Sequence, residues 1–393
     1  MKQKRFVIWI ALLVAFALCA AACSEKSASP DAPSGEKTQT LEERLAPQRS
    51  QLLDRGQTLQ LYLPENATFT SSNENVATVD QNGLVTAVGK GMAMITVSDG
   101  RESALCGVLV RGEESFIDVT KLSAKEVFTD LALHSATEIT GMTMDGENGV
   151  VYLSQGYGTS SYVPLNSDIL INKVERKEDT WELGSWMRFS GSGKGTVCVD
   201  NDGATSRLWM EAGGDYMGYG KAVSLMEWSD GGYGLDSYGQ TFQLQGIRGG
   251  MTVTADTENN MVLAYDRTEK CYRIYDRAEM LAGETAPSYV YSFACKANQT
   301  PVAGEDDSQG RYNASVRGYA LYNGYLYQFS GNSSIYLSVF DLEGTLQYCH
   351  RLENLPDTDY YVPAAICVSE GKLYVTIASG NSEYNLANLL VFE

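Results

Sequence analysis

The chain has 393 residues, a formal net charge of −19 at pH 7 and 44% hydrophobic residues, which is enough for more than one domain with its own core. No basic stripe interrupts the acidic background, so we expect no nucleic-acid partner. The 24 Tyr and 38 Gly residues, with few helical patterns, favour an all-β fold.

Residues 1–23 have the pattern of a targeting segment. A positively charged start, Lys2 to Arg5, precedes an apolar run from Phe6 to Cys19, and small alanines then lead to Cys23. The segment resembles the signal of a bacterial lipoprotein, in which the cysteine becomes the lipidated first residue of the mature chain. The resemblance implies a lipid anchor at Cys23 and an extracytoplasmic, cell-surface location, since two or three acyl chains anchor a protein stably. An ordinary signal peptide cut within the same alanines is the alternative.

Residues 24–49 are rich in Ser, Pro, Ala, Lys and Glu and have little apolar content. A segment of this composition cannot bury a core, so we predict a disordered tether that leads away from the membrane. Within it, the stretch LEERLAPQR is compatible with one helical turn.

Residues 50–111 alternate apolar and polar side chains over short stretches, and Asn82-Gly83 marks a turn between two of them. We predict a small β-sandwich. The G-x-T-x-x-L start at Gly56, the run SSNENVATVDQNGLVTAVGKG and the strands ITVSDG and CGVLV resemble the bacterial Ig-like group 2 domain. The resemblance implies a spacer or adhesive module of a cell-surface protein, with no catalysis.

A second pattern repeats through residues 112–393. Its clearest copy, Arg317 to Glu343, has two apolar runs joined at Asn323-Gly324, then a Gly/Asn/Ser loop and a third strand. Asn-Gly favours a two-residue hairpin because both central residues of a type I′ turn need positive φ. The arrangement occurs five times, with turns near Gly149, Gly203, Asn260, Gly324 and Gly371. Repeated strands without a helical period predict a five-bladed β-propeller.

Each predicted blade begins with an innermost strand rich in small residues, as in GMTMD and AAICVS, which suits strands crowded around an axis. The fifth blade has only three strands before the chain ends at Glu393. We therefore predict that residues 125–133, KEVFTDLAL, pair with its last strand, NLLVFE, and close the ring. Closure would remove an open edge that could otherwise pair with another chain.

The runs KGTVCVDNDGATSRLWMEAG, GRYNASVRGYALYNGYLYQFSG and GKLYVTIASG resemble the five-bladed propeller of helveticin-like bacteriocins. Related phage receptor-binding and teichoic-acid-biosynthesis-C-like proteins share this resemblance, which would cover nearly all of residues 125–393. It implies recognition of a surface polymer or a bacteriocin-like role. A lipid anchor departs from a diffusible bacteriocin, which argues against killing.

In a propeller, the loops between second and third strands share one face with the loops between blades. Seven tyrosines and two arginines lie in these predicted loops: Tyr157, Tyr162, Tyr216, Tyr219, Tyr312, Tyr360, Tyr384, Arg248 and Arg311. Flat rings among Ser, Asn and Gly suit a sugar, whose C–H face stacks on the ring and whose hydroxyls bond to amides. The arginines are suited to a phosphate or carboxylate. Ordinary solvated loops, with Tyr packed against blade edges, are the alternative.

A glycosidase of this fold would need two carboxylates that converge on the central channel. Glu138 lies just before the first innermost strand, whereas Asp145, Asp200 and Asp256 lie at the far ends of innermost strands, toward the turns. That rim is the wrong one for a converging pair, so we expect no enzymatic activity.

Histidines and cysteines suggest no metal or nucleophilic site. Only His134 and His350 are present, which argues against a His-rich metal centre or a Ser-His-Asp triad. No phosphate-binding or dinucleotide motif follows a strand, and no cysteine pair has a C-x-x-C spacing, so we expect neither cofactor nor metal. We expect buried thiols, although Cys271 and Cys295 lie on successive strands and a bond between them stays open.

These features predict an all-β protein, a small Ig-like β-sandwich followed by a five-bladed β-propeller. We expect a monomeric, membrane-anchored cell-surface protein whose propeller binds a cell-envelope or extracellular glycan, with the Ig-like domain as spacer. A surface glycoside hydrolase that uses the same face, and an adhesin that binds another protein, are the alternatives.

Overall fold

In the computed structural model, the described residues are 39–62, 64, 66–134, 139–157, 168–189, 196–201, 206–212, 222–228, 233–234, 239–248, 251–266, 268–296, 316–331, 335–352, 361–379 and 386–393. Residues 41–393 form one compact unit. Strands dominate it. The described helices are short: α1 (Leu41–Leu45) and α2 (Arg277–Leu281), with 3-10 turns at Ala46–Gln48 and Val119–Lys121.

The first domain is a sandwich of two sheets. Its strands are β1 (Ser50–Leu53), β2 (Thr58–Gln60), β3 (Thr68–Ser71), β4 (Ala77–Val79), β5 (Leu84–Ala87), β6 (Gly91–Ser98) and β7 (Ser103–Val110). One sheet has the order β1-β7-β6-β3, with β1 parallel to β7, and the other has the order β2-β5-β4. Val85, Ile95 and Val108 lie fully buried between the sheets. The predicted Ig-like sandwich is confirmed.

The end of the predicted tether belongs to this sandwich. Leu41 and Leu45, one turn apart on α1, are 3% and 1% exposed and pack into its core. The backbone N–H of Leu41 donates to Glu102 Oε2 at 2.7 Å, which fixes the start of the helix. The prediction of a disordered tether over 24–49 is therefore wrong for residues 41–49, because two leucines in helical spacing bury enough apolar surface to order that stretch.

Five four-stranded antiparallel blades follow the sandwich, and with it they confirm the predicted all-β architecture. The first two blades are β9 (Ile139–Asp145), β10 (Val150–Tyr157), β11 (Asp168–Lys177) and β12 (Thr180–Phe189), then β13 (Val197–Asn201), β14 (Ser206–Ala212), β15 (Ala222–Glu227) and β17 (Gly239–Phe242). A two-residue strand, β16 (Tyr233–Gly234), pairs with β12. The next two are β18 (Met251–Asp256), β19 (Met261–Asp266), β20 (Cys271–Asp276) and β21 (Tyr291–Phe293), then β22 (Val316–Tyr322), β23 (Tyr325–Gly331), β24 (Ile335–Asp341) and β25 (Leu346–Arg351).

The fifth blade closes the ring with a strand from before the first blade. Its strands are β26 (Tyr361–Ser369), β27 (Lys372–Ser379), β28 (Leu386–Phe392) and β8 (Ala124–Ala132). Strand β8 pairs antiparallel to β28, from Phe392 opposite Ala124 to Leu386 opposite Ala132. This is the pairing expected for residues 125–133. The innermost strands β9, β13, β18, β22 and β26 contact one another in turn around the axis.

The turn that joins β22 and β23 has the geometry predicted from Asn-Gly. Asn323 has φ 50° and Gly324 has φ 74°, so both central residues are in the left-handed region. Tyr322 and Tyr325 face each other directly across the strands that flank the turn. A two-residue turn of this kind matches the twist of its strands and sets the register of the fourth blade.

The Ig-like domain packs directly against the third and fourth blades. Met94 of β6 and Leu109 of β7 share one buried apolar cluster with Phe293 of β21. The backbone of Gly107 lies so close to the third blade that a Cβ atom there would overlap the carbonyl oxygen of Val290. The spacer domain expected from the sequence is therefore joined to the propeller by a shared core.

The link between the two domains is fixed to the face of the fourth blade that is directed toward the fifth blade. Phe116 packs on the rings of Tyr325 and Tyr348, with both pairs of centroids 5.4 Å apart. The N–H of Ile117 donates to Tyr327 Oη at 2.9 Å, and Tyr348 Oη donates to the Ile117 carbonyl at 2.8 Å. Both backbone groups of Ile117 are thereby satisfied by tyrosine hydroxyls.

Candidate binding surfaces

The ring has two rims, and each carries different connections. We call the rim with the connections between second and third strands, and between blades, the loop rim. The opposite turn rim carries the short turns between first and second strands, such as the turn at Asn323. The loop composition of the sequence predicts the binding face at the loop rim.

Most of the predicted binding residues lie outside the described residues: Tyr162, Tyr216, Tyr219, Arg311, Tyr312, Tyr360 and Tyr384. Tyr157 is the last residue of β10, which ends at the loop rim, but its side chain is also outside the description. Cys23 and Glu138 lie outside it as well. The gathering of these tyrosines on one face stays a prediction.

Arg248 is the predicted binding residue whose surroundings are described. Its backbone N–H donates to Asp266 Oδ2 at 2.9 Å, while its side chain is 75% exposed and lies 3.4 Å from the Glu269 carboxylate. Asp266 is fully buried and also accepts from Arg273 Nη1 at 2.9 Å and from the N–H of Thr268. Burial opposes ionisation of Asp266, but these donors outweigh it and hold its pKa below the ordinary value. A buried carboxylate thus fixes the backbone at Arg248, from which an exposed guanidinium extends on the loop rim.

Three tyrosines that the sequence analysis did not select form a cluster between the third and fourth blades. Tyr265 of β19 lies 4.7 Å from Tyr272 of β20 and 5.8 Å from Tyr319 of β22, measured between ring centroids. Tyr272 is buried, whereas Tyr265 and Tyr319 are half-buried. Gln328 Nε2 donates to Tyr272 Oη at 2.6 Å. The sequence signal was the hairpin YDRTEKCY, which has a tyrosine at each end.

A cavity of about 290 Å³ opens around the axis at the turn rim. Its mouth includes one glutamate from a turn in each of three blades, and its wall carries apolar and sulfur-bearing side chains: Glu147, Glu258 and Glu370 at the mouth, and Met144, Cys198 and Cys367 in the wall. The negative mouth disfavours anions and favours cations. The sequence did not predict this cavity, because Glu138 and the aspartates at the strand ends were compared and the glutamates of the turns were not.

The aspartates that end the innermost strands hold the turns. Asp145 and Asp256 are buried, and each accepts hydrogen bonds from the backbone and side-chain N–H groups of the asparagine three residues later, Asn148 and Asn259. Local bonds of this kind are what Asp and Asn contribute to tight turns. Burial raises the pKa of Asp256, and its bonds to Asn259 oppose that rise.

Asp200, the third of these aspartates, is a buried ion-pair centre that joins the second and third blades. Arg277 Nε donates to its carboxylate at 2.7 Å, Arg207 Nη2 donates at 3.1 Å, and Trp209 Nε1 also donates. Burial favours the neutral acid, but Arg277, Trp209 and Arg207 together lower the pKa of Asp200. Since Arg207 belongs to the second blade and Arg277 to the third, this carboxylate joins the two blades.

Cys271 and Cys295 are both free thiols, so the bond left open between them is not formed. Tyr272 pairs with Phe293, which places neither cysteine directly opposite the other. Gln328 Nε2 lies 3.6 Å from Cys295 Sγ instead. Burial raises the pKa of Cys106 to about 12, as expected for an unreactive core thiol.

Within the described part of the chain, no group of three or more His, Cys, Asp or Glu side chains is arranged to hold a metal ion. No helix in the same part is long and apolar enough to cross a membrane.

Comparison with known families identifies the first domain. Residues 50–107 match the family of the bacterial Ig-like domain (group 2). Domains of this family occur in bacterial surface proteins. No curated protein was found to match the chain.

Solved structures resemble the propeller in fold. The tail fiber of Staphylococcus aureus phage P68 matches 70% of this chain with a TM-score of 0.53 and 16% identity, and this chain covers 54% of the tail fiber. A GH43_1 enzyme from Xanthomonas citri, complexed with xylotriose, matches 69% of this chain and 90% of its own length, with a TM-score of 0.39 and 10% identity. At 16% identity, the likeness to the tail fiber concerns the fold alone.

Proposed function

We propose that this protein is a lipid-anchored, monomeric cell-surface protein whose propeller binds a glycan or cell-wall polymer at its loop rim without cleaving it. The anchor would be at Cys23. The Ig-like domain would hold the propeller away from the membrane and, through the shared core, fix the direction in which the loop rim faces.

The observation that carries this proposal is the composition of the described loop rim. It presents an exposed guanidinium, that of Arg248, whose backbone N–H is bonded to Asp266, and half-buried tyrosine rings at Tyr265 and Tyr319. Aromatic rings and a cation on one rim suit a sugar polymer with anionic groups, since rings stack on sugars and guanidinium pairs with phosphate or carboxylate.

Two comparisons support the proposal in a general way. The Ig-like group 2 family occurs in bacterial surface proteins, and the propeller shares its fold with a phage tail fiber. Both likenesses favour a protein that acts outside the cytoplasm.

A glycan array that includes bacterial cell-wall polymers, probed with the purified chain, tests the proposal. We expect binding to at least one anionic polymer, weakened severalfold by Arg248→Ala because one charge-assisted pair is lost. Lys121→Ala, which removes an exposed cation at a 3-10 turn, is the control and should leave binding unchanged. Binding to no glycan would refute the proposal.

Two further measurements separate the alternatives. Release of reducing sugar that is lost in Glu138→Gln would favour the hydrolase over a binding protein. Cys23→Ser should release the protein from membranes on cell fractionation, and a variant that stays wholly in the membrane fraction would contradict the lipid anchor.

A further inference from the structure

The facing surfaces of the third and fourth blades form a seam whose two ends differ. Toward the turn rim the seam is apolar, with Leu263 and Leu326 in the buried cluster that also includes the Ig-like domain. Toward the loop rim, polar side chains replace apolar ones. The change from apolar to polar side chains occurs along the same strands, so the backbone is regular β-sheet at both ends of the seam.

On the third blade, one row of side chains crosses the seam surface near the loop rim. Thr252 of β18 is directly opposite Tyr265, which is directly opposite Tyr272, which is opposite Phe293. Residues directly opposite each other in a sheet point to the same face. Since Tyr265 and Tyr272 both contact Tyr319 of the fourth blade, Thr252 faces the same seam.

On the fourth blade, the facing row is also polar. Tyr319 is opposite Gln328, and Gln328 is opposite Ser338 of β24. Ser330 lies two residues beyond Gln328 on β23 and therefore points to the same side. The bond from Gln328 to Tyr272 places this row against the third blade.

The seam contains buried hydroxyls that have no hydrogen-bond partner. Among the described residues, four buried side-chain polar atoms lack one, and three belong to this seam: Thr252 Oγ1, Ser330 Oγ and Ser338 Oγ. Thr252 is 6% exposed, and Ser330 and Ser338 have no exposed surface. Buried hydroxyls are nearly always bonded in native proteins, because an unmet one costs about 1–3 kcal/mol. Three on one seam therefore point to something that binds there.

We propose that the loop-rim end of this seam binds one polyhydroxylated unit of the ligand, a sugar ring or a sugar alcohol. The inference rests on the function proposed above and deepens it. Tyr265 and Tyr319 provide the half-buried rings for stacking, and Thr252 on the innermost strand bonds a ligand hydroxyl. Ser330 and Ser338, which have no exposed surface, are reached through bridging water.

The chemistry of the seam favours a neutral hydroxylated ligand. Hydroxyls both donate and accept, as do the hydroxyls of Thr252 and Ser330, so the two sides can complete each other's hydrogen bonds. The rows that contain Thr252, Tyr265 and Tyr319 carry no charged side chain, so an anionic group would find no cation beside them. Arg351 lies in the neighbouring row of Ser330, opposite Tyr336 on the outermost strand of the blade. The anionic part of a polymer would instead meet Arg248 on the same rim.

Saturation-transfer NMR on the purified full chain tests the seam with three probes: glucose, N-acetylglucosamine and ribitol. The two sugars and the sugar alcohol distinguish a ring from an open chain. We expect transfer to at least one probe. Thr252→Val deletes only the hydroxyl and should weaken that probe about fivefold, the loss of one hydrogen bond of about 1 kcal/mol. Tyr319→Leu, which removes a stacking ring, should weaken it by a similar factor.

The control variant is Ser224→Ala, in the second blade. It also deletes a buried hydroxyl, but one that is hydrogen-bonded, to Thr241 Oγ1 at 3.1 Å. It should leave probe affinity unchanged and lower the melting temperature. Thr252→Val should do the reverse, weakening the probe while leaving the melting temperature equal or higher, because its hydroxyl has no protein partner to lose.

Each other outcome overturns the inference. Unchanged probe affinity in Thr252→Val, a lowered melting temperature in that variant, or no transfer to any probe would remove the seam as a site. If the polymer found on the array still binds these variants with full affinity, the seam inference fails and the proposed function stands. If the wild-type chain binds no polymer at all, both the proposed function and the seam inference fail.

Discussion

The two faces of the fourth blade are built from alternate residues of the same strands, yet they differ in how their polar groups are satisfied. Toward the fifth blade, Phe329, Leu337 and Val339 form a continuous apolar cluster. Toward the third blade, Ser330 and Ser338 occupy the positions between them. Both faces are buried, so burial alone does not distinguish a structural surface from a binding one.

The hydroxyls of the two faces show the difference most directly. On the face toward the fifth blade, the hydroxyls of Tyr327 and Tyr348 bond to both backbone groups of Ile117. On the face toward the third blade, the hydroxyls of Ser330 and Ser338 bond to no described group. A buried hydroxyl with a protein hydrogen-bond partner stabilises the fold, whereas one without such a partner can still form a hydrogen bond to a ligand.

The largest contrast between the faces should appear when a core ring is compared with a neighbouring hydroxyl. Phe329→Ala removes a fully buried ring and should lower the free energy of unfolding by about 3–5 kcal/mol. Ser330→Ala, one residue away on the other face, should change it by less than about 0.5 kcal/mol or raise it, because no bond is lost. Urea denaturation measures both. A loss above 1 kcal/mol in Ser330→Ala would mean that its hydroxyl is structural.

A substitution in the Ig-like domain should disrupt the apolar half of the seam. Gly107→Ala should force the two domains apart at Val290 and destabilise the protein by about 1–3 kcal/mol. Tryptophan fluorescence then reports only the propeller, because the tryptophans beyond the targeting segment lie in its first two blades: Trp181, Trp186, Trp209 and Trp228. We expect the midpoint of that signal to fall although the change is in the other domain.

The exposed Ser103 on the same strand provides the control for that test. Ser103→Ala should leave the fluorescence midpoint where it is in the wild type. A propeller midpoint that is the same in all three proteins would contradict a core shared by the two domains.

A smaller effect should come from deleting one hydroxyl on each face. Tyr327→Phe leaves the Ile117 N–H without its acceptor and should cost about 1–2 kcal/mol. Ser338→Ala should be neutral or stabilising, since its hydroxyl has no partner to leave unpaired. Urea denaturation of the two variants measures this. Equal losses of unfolding free energy would contradict a difference between the two faces.

The smallest effect concerns the edge of the fifth blade, which lies outside both faces. Glu393 pairs with Lys125 of β8 and Lys372 of β27 at 2.7 Å each, and these partners lower its pKa to about 2. Because the folded-state pKa is depressed from 4.5, the stabilisation is present above about pH 4.5 and is lost as the pH falls toward 2. Glu393→Gln should therefore melt slightly below the wild type at pH 7 and nearer to it at pH 3. A difference that grows on acidification would contradict this pairing.

Much of the architecture could be predicted because its signals are local. Alternation within strands and the Asn323-Gly324 turn indicate hairpins, and their fivefold recurrence indicates blades. The closing strand was expected at residues 125–133 and lies at Ala124–Ala132, since an unpaired apolar strand must find an edge. Helix α2 was not predicted, because RAEML is short and continues a strand.

The predicted binding residues, in contrast, were mostly not tested by the structure. Tyr157, Arg248 and the other loop residues were selected by loop composition, and of these the structure describes the surroundings of Arg248 alone. Tyr265 and Tyr319 were not selected because they lie within strands, where a tyrosine is normally packed. These two tyrosines are half-buried because they face a row of polar side chains across the seam. That row combines residues from several strands, so the sequence of one strand does not predict it.

By itself, the sequence determined which stretches become strands, how they turn and how many blades they make, because these depend on neighbours a few residues apart. Only the tertiary structure decided which face of each blade meets which neighbour, and therefore which buried hydroxyls find partners. It also decided that Leu109 of the Ig-like domain completes a core begun by Phe293 of the propeller. Contacts of this kind join residues far apart in the chain, and an apolar side chain gives no sign of which distant surface it will cover.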